Sequence, residues 1–299
     1  MSDVTINKAP TEAPTDALVA TALKARMAQV AEIRPVKGPF DLELAELWQY
    51  RELFWVLVIR DIQVLYRQAS LGAAWAIVQP LFAVAIFTLV FGRFAHMPSD
   101  GVPYTVFAFA AVLPWTYFAE ALRRSATGLV TEAELVRKVY FPRLVIPLAA
   151  VTAPLLDFAI ALVVFIGLLL FNGIGLSWRL FAVFPLILVS STLALAVGLW
   201  LGPINVRFRD VKHTLPFIIQ VWMYGSPVIY PLSLIPAGYK WAYSLNPMVG
   251  VIEGFRWAAF GSQGVNVSAM AIGAVVIVAL LFGGLVFFKS MERTFADLI

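Results

Sequence analysis

At 299 residues, 61% hydrophobic and only 13% charged, the chain lies far from soluble composition and reads as an all-helical, polytopic membrane protein. With no cysteine there are no disulfides and no thiol chemistry, and no Gly-x-x-x-x-Gly-Lys-Ser/Thr loop is present to hold a nucleotide phosphate. The net charge of +4 comes mostly from membrane flanks, which fits anchoring and orientation and argues against nucleic-acid binding.

Residues 1–39 are rich in Ala, Pro and Thr and read as a mobile cytosolic tail. No short basic-then-apolar signal opens the chain, so the first span is expected to direct insertion. Residues 40–70 form the next unit. Asp41 is a plausible N-cap for a helix reaching Gln68, with Leu42, Leu47, Trp48, Leu53, Phe54 and Leu57 on one face and Glu43, Glu46, Arg51 and Glu52 on the other. Such a helix can lie in the membrane surface, and the seven apolar residues Leu53–Ile59 are too few to cross it. Arg60, Asp61 and Arg67 hold the chain on the charged side.

Residues 71–299 carry six predicted spans, at about Leu71–Phe91, Tyr104–Ala121, Leu144–Phe171, Trp178–Leu201, Leu215–Tyr230 and Val267–Phe288. Each lies near the roughly 20 residues a bilayer requires, and those bearing proline are expected to be kinked or braced. Ten Lys and Arg residues flank one side, in 123–143, 207–212 and 289–293, against Arg93, Arg179, Lys240 and Arg256 on the other. The basic excess assigns both termini to the cytosol. After the fifth span, residues 232–261 are apolar but broken by Pro236, Pro247, Gly238, Gly250, Gly254 and Gly261. Lipid cannot satisfy a broken backbone, so this stretch must be buried in protein, line a water-filled path or lie at the interface.

Catalysis is poorly supplied. His96 and His213 fall on opposite sides of the membrane, no acidic cluster has metal-ligand spacing, and no catalytic or metal residue is assigned. Asp157 is the acid deep in a span; a structural pairing and a transport role both stay open. Glu253 and Arg256, three apart on a short helix, can form a local salt bridge or an outer gate element. Trp115, Tyr117 and Phe118 sit mid-span, as do Trp222, Tyr224 and Tyr230, and serve either helix packing or a ring-lined path on which sugars could stack. Thr131 with Glu134 gives a capping-box pattern for a helix over Thr131–Tyr140. Its acids Glu132 and Glu134 come first and its bases Arg137 and Lys138 last, in line with the helix dipole. It is a solvated connector or a docking peg.

A set of fragments recurs in order along residues 41–290: Arg60-Asp61, Tyr66-Arg67-Gln68, Ser70-Leu71-Gly72, Trp75, Gln79-Pro80, Lys138-Val139-Tyr140-Phe141-Pro142-Arg143, Asn205-Val206-Arg207-Phe208-Arg209-Asp210, Ser226-Pro227, and Asn246-Pro247 with Gly250, Glu253 and Arg256. In these the chain resembles the permease subunits of type-2 ABC exporters, most closely those that export O-antigen, capsule or teichoic acid. The resemblance implies a homodimer in the bacterial inner membrane with two ATP-binding cassette subunits, which bind ATP and Mg; this chain is then no enzyme and needs no cofactor. It also implies an interface helix at Asp41–Trp55 and a coupling helix at Thr131–Tyr140, with Thr131, Glu132, Glu134, Arg137 and Lys138 facing the ATPase. Arg207, Arg209 and Asp210 would make a second contact. Asn246, Pro247, Glu253 and Arg256 would belong to outward gate helices that re-enter the membrane. The substrate implied is a lipid-linked glycan, in a conduit lined by the first and fifth spans and by rings including Trp75, with Arg60 and Arg67 meeting the anionic head group at the cytosolic rim. The rivals are an exporter of a small lipophilic compound and a membrane-embedded transferase, the latter without the clustered acids or histidines it would need.

Overall fold

In the computed structural model, residues 44–67, 74–208, 210–261 and 267–298 are described, and their regular elements are all helical. The expected tail at 1–39, the Asp41 cap, Gln68, the Ser70-Leu71-Gly72 motif and Arg209 lie outside them.

The predicted helix at 41–68 is divided into α1 (Leu44–Gln49) and α2 (Arg51–Arg67) at Tyr50, although hydrogen bonds from Tyr50 N to Glu46 O and from Phe54 N to Tyr50 O continue the ladder. Helix α3 (Trp75–Phe87) carries Pro80 and runs on as a π-helical stretch, Thr88–Phe94. Helix α4 (Tyr104–Thr131) occupies the centre, and α3, α6, α7, α8 and α11 all pack on it. Its first half, residues 104–118, is free of charge and buried almost throughout, as such a position requires.

The third predicted span is two helices, α6 (Val145–Thr152) and α7 (Leu155–Phe171). Pro154 separates them, because its ring crowds the preceding turn and it brings no N–H to the ladder. Helix α8 (Val183–Arg207) follows a 3-10 turn at Trp178–Ala182 and runs parallel to α4. Tyr117 meets Ser191 near one end, and Asn205 Nδ2 donates to Ala126 O near the other. Ala110, Ala121, Ala126, Ala194 and Ala196 are buried in this bundle core. In lipid, where apolar transfer drives little association, small residues let helices approach and gain packing. Gly198 is the limiting case, since a Cβ there would collide with Ser125 Oγ.

Among the described residues, five helical stretches are long and apolar enough to cross a membrane: 77–94, 104–131, 145–171, 178–207 and 267–292. The fifth predicted span, Leu215–Tyr230, is not one of them. Its helix α9 (Val211–Tyr224) has 14 residues, about 21 Å of rise, and the chain then turns at Gly225-Ser226-Pro227. Short helices α10 (Lys240–Ser244) and α11 (Pro247–Phe260) follow, and α12 (Val267–Leu298) closes the chain. Gly261 ends α11 in the left-handed region at φ 68°, a conformation glycine adopts without a Cβ clash. Helix α12 runs towards Arg143, whose backbone N donates to Glu292 Oε1, at the end of the bundle where α4 finishes. Both α8 and α12 therefore run towards that end, and the segment between them carries the chain back.

Candidate functional site at the charged end of the bundle

Helix α5 (Ala133–Lys138) joins α4 to α6, close to the predicted helix but with a different start. Thr131 is still part of α4 and its Oγ1 donates to Thr127 O at 3.2 Å, so the predicted Thr131–Glu134 capping box does not form. Glu132 holds the N-cap position instead. Val136 is buried beneath α5, whereas Thr131, Glu134, Arg137 and Lys138 face outward. Glu134 and Lys138 pair at 2.6 Å across one turn with both side chains 73% exposed.

Glu132 turns inward. Its carboxylate takes both arms of Arg60 on α2, with Nη1 donating to Oε2 at 2.8 Å and Nη2 to Oε1 at 2.5 Å. Arg60 Nη2 also donates to Asp61 Oδ1 at 2.9 Å. Hydrogen bonding to Glu132, offset in part by burial and then reinforced by Asp61, pushes the guanidinium pKa above its ordinary value. Arg60 is thus already spoken for by two carboxylates, which competes with the head-group contact the sequence predicts. The Arg67 side chain lies outside those described.

Behind this pair lies a cavity of about 360 Å³ between α2, α4 and α6. Arg60, Asp61, Arg123, Arg124 and Glu132 line it with charge, while Leu57, Val64, Ile146 and Ala149 give it an apolar wall. Glu120 bridges both arginines of α4, at 2.6 and 2.9 Å to Arg123 and 2.6 Å to Arg124.

Asp157 sits in the first turn of α7, where the helix dipole favours a carboxylate, and accepts a hydrogen bond from Tyr66 Oη. That tyrosine was invisible from sequence spacing, being 91 residues away. The contacts of α2 advance in step with those of its neighbour: Tyr50 Oη donates to Tyr140 O at 3.4 Å, and Tyr66 reaches Asp157. Helix α2 therefore runs alongside α6 towards α7.

The predicted conduit rings divide. Trp115, Tyr117 and Phe118 are buried in the core, where they pack helices. Tyr117 Oη donates to Val151 O at 2.9 Å, and Phe118 meets Trp222 edge-to-face at 5.0 Å. Trp75 and Tyr224 are exposed, and Tyr230 is half-buried with its hydroxyl donating to Tyr224 O at 3.0 Å. Arg207 lies over the ring of Phe208 on the surface, beside exposed Asp210.

At the opposite pole, Asn246 joins α9 to α11. Its Oδ1 accepts from Trp222 Nε1 at 3.0 Å and from Met248 N at 3.1 Å, while its Nδ2 donates to Ser226 Oγ at 2.9 Å. Asparagine at the N-cap with Pro247 at the first helical position is a strong helix start. The irregular backbone at 226–229 is buried, and Arg256 helps to satisfy it and Tyr230 O beyond it. Arg256 is 1% exposed, pairs with Glu253 at 2.8 Å as the spacing predicts, and lies 3.6 Å from the Phe107 ring centroid. Its Nη2 donates to Val228 O at 3.2 Å and its Nη1 to Tyr230 O at 3.5 Å, while Tyr104 Oη donates to Ile229 O at 2.6 Å. Phe107, Tyr104 and the three carbonyls carry no sequence signal for this role.

The sequence profile described as ABC-2 type transporter matches residues 52–260. The chain is 30% identical over 257 residues to the O-antigen export system permease protein RfbA of Myxococcus xanthus, covering 85% of this chain and 98% of that one. It is 27% identical over 251 residues to the protein of the same name from Klebsiella pneumoniae, with 83% and 95% covered. It is also 27% identical over 246 residues to the polysialic acid transport protein KpsM of Escherichia coli, with 79% and 92% covered.

Proposed function

The chain belongs to the ABC-2 type transporter family, and we propose from that premise that it is the permease subunit of an ATP-driven exporter of lipid-linked polysaccharide, of O-antigen, capsule or teichoic acid type. The observation that carries this reading is the 30% identity to an O-antigen export permease over 98% of that protein's length. The chain is a transport subunit of the inner membrane and crosses it several times. ATP, with Mg, is bound and hydrolysed by separate subunits.

The working unit is a homodimer with two ATP-binding cassette subunits. Exposed Thr131, Glu134, Arg137 and Lys138 on α5 suit a peg seated in the ATPase, with the surface around Arg207 and Asp210 as a second contact. Closure of the ATPase dimer on nucleotide moves the α5 helices together. Glu132 then pulls on Arg60 and so on α2, so docking and the cytosolic rim move as one body. Six crossings follow if α9 and the irregular 225–230 backbone complete the return between α8 and α12, and both termini are then cytosolic, in agreement with the basic excess at the α5 end. Segment 232–261 re-enters from the outer face down to Asn246 and forms the gate.

The test is deletion of the gene with complementation, assaying lipid-linked glycan inside the cell and polysaccharide on its surface. Loss of surface polymer with glycan trapped inside is expected. Unchanged surface polymer would remove the reading.

A further inference from the structure

We propose that the cavity between α2, α4 and α6 is a binding site for a zwitterionic phospholipid with a primary ammonium in its head group, chemically a phosphatidylethanolamine. The inference needs only that the chain is embedded in a bilayer with its charged end at a head-group level; it does not depend on what is exported.

The lining carries both signs of charge. Arg60, Arg123 and Arg124 are its cations and Asp61 and Glu132 its carboxylates, while Glu120, outside the lining, holds the two arginines of α4. A ligand with negative charge alone would face Asp61 and Glu132 across the same cavity, and drawing Arg60 away would leave both of those carboxylates without their shared partner in a partly buried site, a costly exchange. A ligand with one phosphate and one ammonium offers both halves of the exchange. The phosphate fits Arg123, whose side chain is half exposed and whose loss leaves Glu120 still paired with Arg124. The ammonium fits Asp61 and Glu132, which face the same cavity from α2 and from the α4–α5 junction. A primary ammonium has three N–H donors for those oxygens, whereas a trimethylammonium has none.

The apolar wall indicates an amphiphile over a soluble zwitterion. Leu57, Ile146, Ala149 and Ala150 form its floor, and Val64 lines the mouth while itself exposed, so the greasy surface continues out of the cavity along α2.

The experiment uses the purified full-length chain in detergent, with native mass spectrometry and thermal unfolding in the presence of phosphatidylethanolamine, phosphatidylcholine, phosphatidylglycerol or free O-phosphoethanolamine. One retained phosphatidylethanolamine per chain is expected, with a larger upward shift of the unfolding midpoint than either other lipid gives. Arg123→Ala and Asp61→Asn are each expected to weaken that adduct about tenfold, the loss of one charge-assisted hydrogen bond. Ala149→Leu fills the floor without touching a charge and is expected to expel the lipid from a folded protein. Equal retention of phosphatidylglycerol, or an adduct indifferent to all three substitutions, would overturn the site. Free O-phosphoethanolamine binding as tightly as the diacyl lipid would overturn the lipid assignment. None of these readouts changes if the exported cargo proves to be something other than a glycan.

Discussion

Arg60 and Glu132 stand 72 residues apart in sequence and meet in a two-armed ion pair at 2.8 and 2.5 Å. The pair ties α2 to the junction of α4 and α5, so the rim of the cavity and the exposed docking helix share one mechanical link. Because the Arg60 side chain is 41% exposed, solvent screens part of its attraction. Glu132→Ala should therefore cost only about 1 kcal/mol of stability. Thermal unfolding of Arg60→Glu, Glu132→Arg and the double exchange checks this. The double exchange is expected to be more stable than either single change, and a purely additive result would remove the direct link.

Glu134→Lys acts on a different property. Its side chain is 73% exposed and its one recorded partner is Lys138, so the fold should not notice the change. Reversing the charge should reduce recovery of the ATP-binding subunit in pull-downs from membranes while leaving permease abundance and melting temperature alone. Undiminished recovery would show that α5 is only a connector.

Asn246→Ala removes both an N-cap and the acceptor for Trp222. Loss of the cap alone costs about 1 kcal/mol, and the freed indole N–H adds to it. Asn246→Asp keeps the acceptor for Met248 N and Trp222 and loses the amide donor to Ser226 Oγ and Gly225 O. The melting temperature should fall in the order native, Asp, Ala. Equal falls for both variants would mean that the acceptor does not matter.

Arg256→Met takes the donors away from the Val228 and Tyr230 carbonyls and leaves Glu253 without its partner. Breaking one side of a buried pair costs about 3–5 kcal/mol, so the single variant should unfold or express poorly. Adding Glu253→Gln should recover part of the loss by removing the stranded charge. Membrane abundance and detergent-extracted melting curves report both, and a double variant no better than the single one would count against the pairing.

Much of the fold was legible in apolar runs. Five of the predicted spans appear, the break at Pro154 follows from proline chemistry, and the Glu253–Arg256 pair follows from helical spacing. Leu215–Tyr230 is not one continuous helix, and composition alone cannot distinguish such a helix from a short helix followed by buried irregular backbone, whose carbonyls here are met by Arg256 and Tyr104. The capping-box pattern at Thr131 was overridden because α4 continues through it and uses the hydroxyl for Thr127 O. Trp115, Tyr117 and Phe118 could not be allotted to core or conduit, since in a membrane protein the face turned to lipid is as apolar as the face turned to a neighbouring helix. Arg60–Glu132 and Tyr66–Asp157 were out of reach for a simpler reason: each joins residues that only the folded chain brings together.

The most direct measurement of the export claim reconstitutes the full-length chain with its ATP-binding subunit in proteoliposomes loaded with lipid-linked glycan. Lectin access to glycan on the leaflet opposite the ATPase is then followed after ATP is added. A rise in accessible glycan that needs ATP, and disappears when the permease is omitted, is the predicted result. No ATP-dependent rise, together with ATP-driven movement of a small lipophilic dye in the same vesicles, would contradict the account.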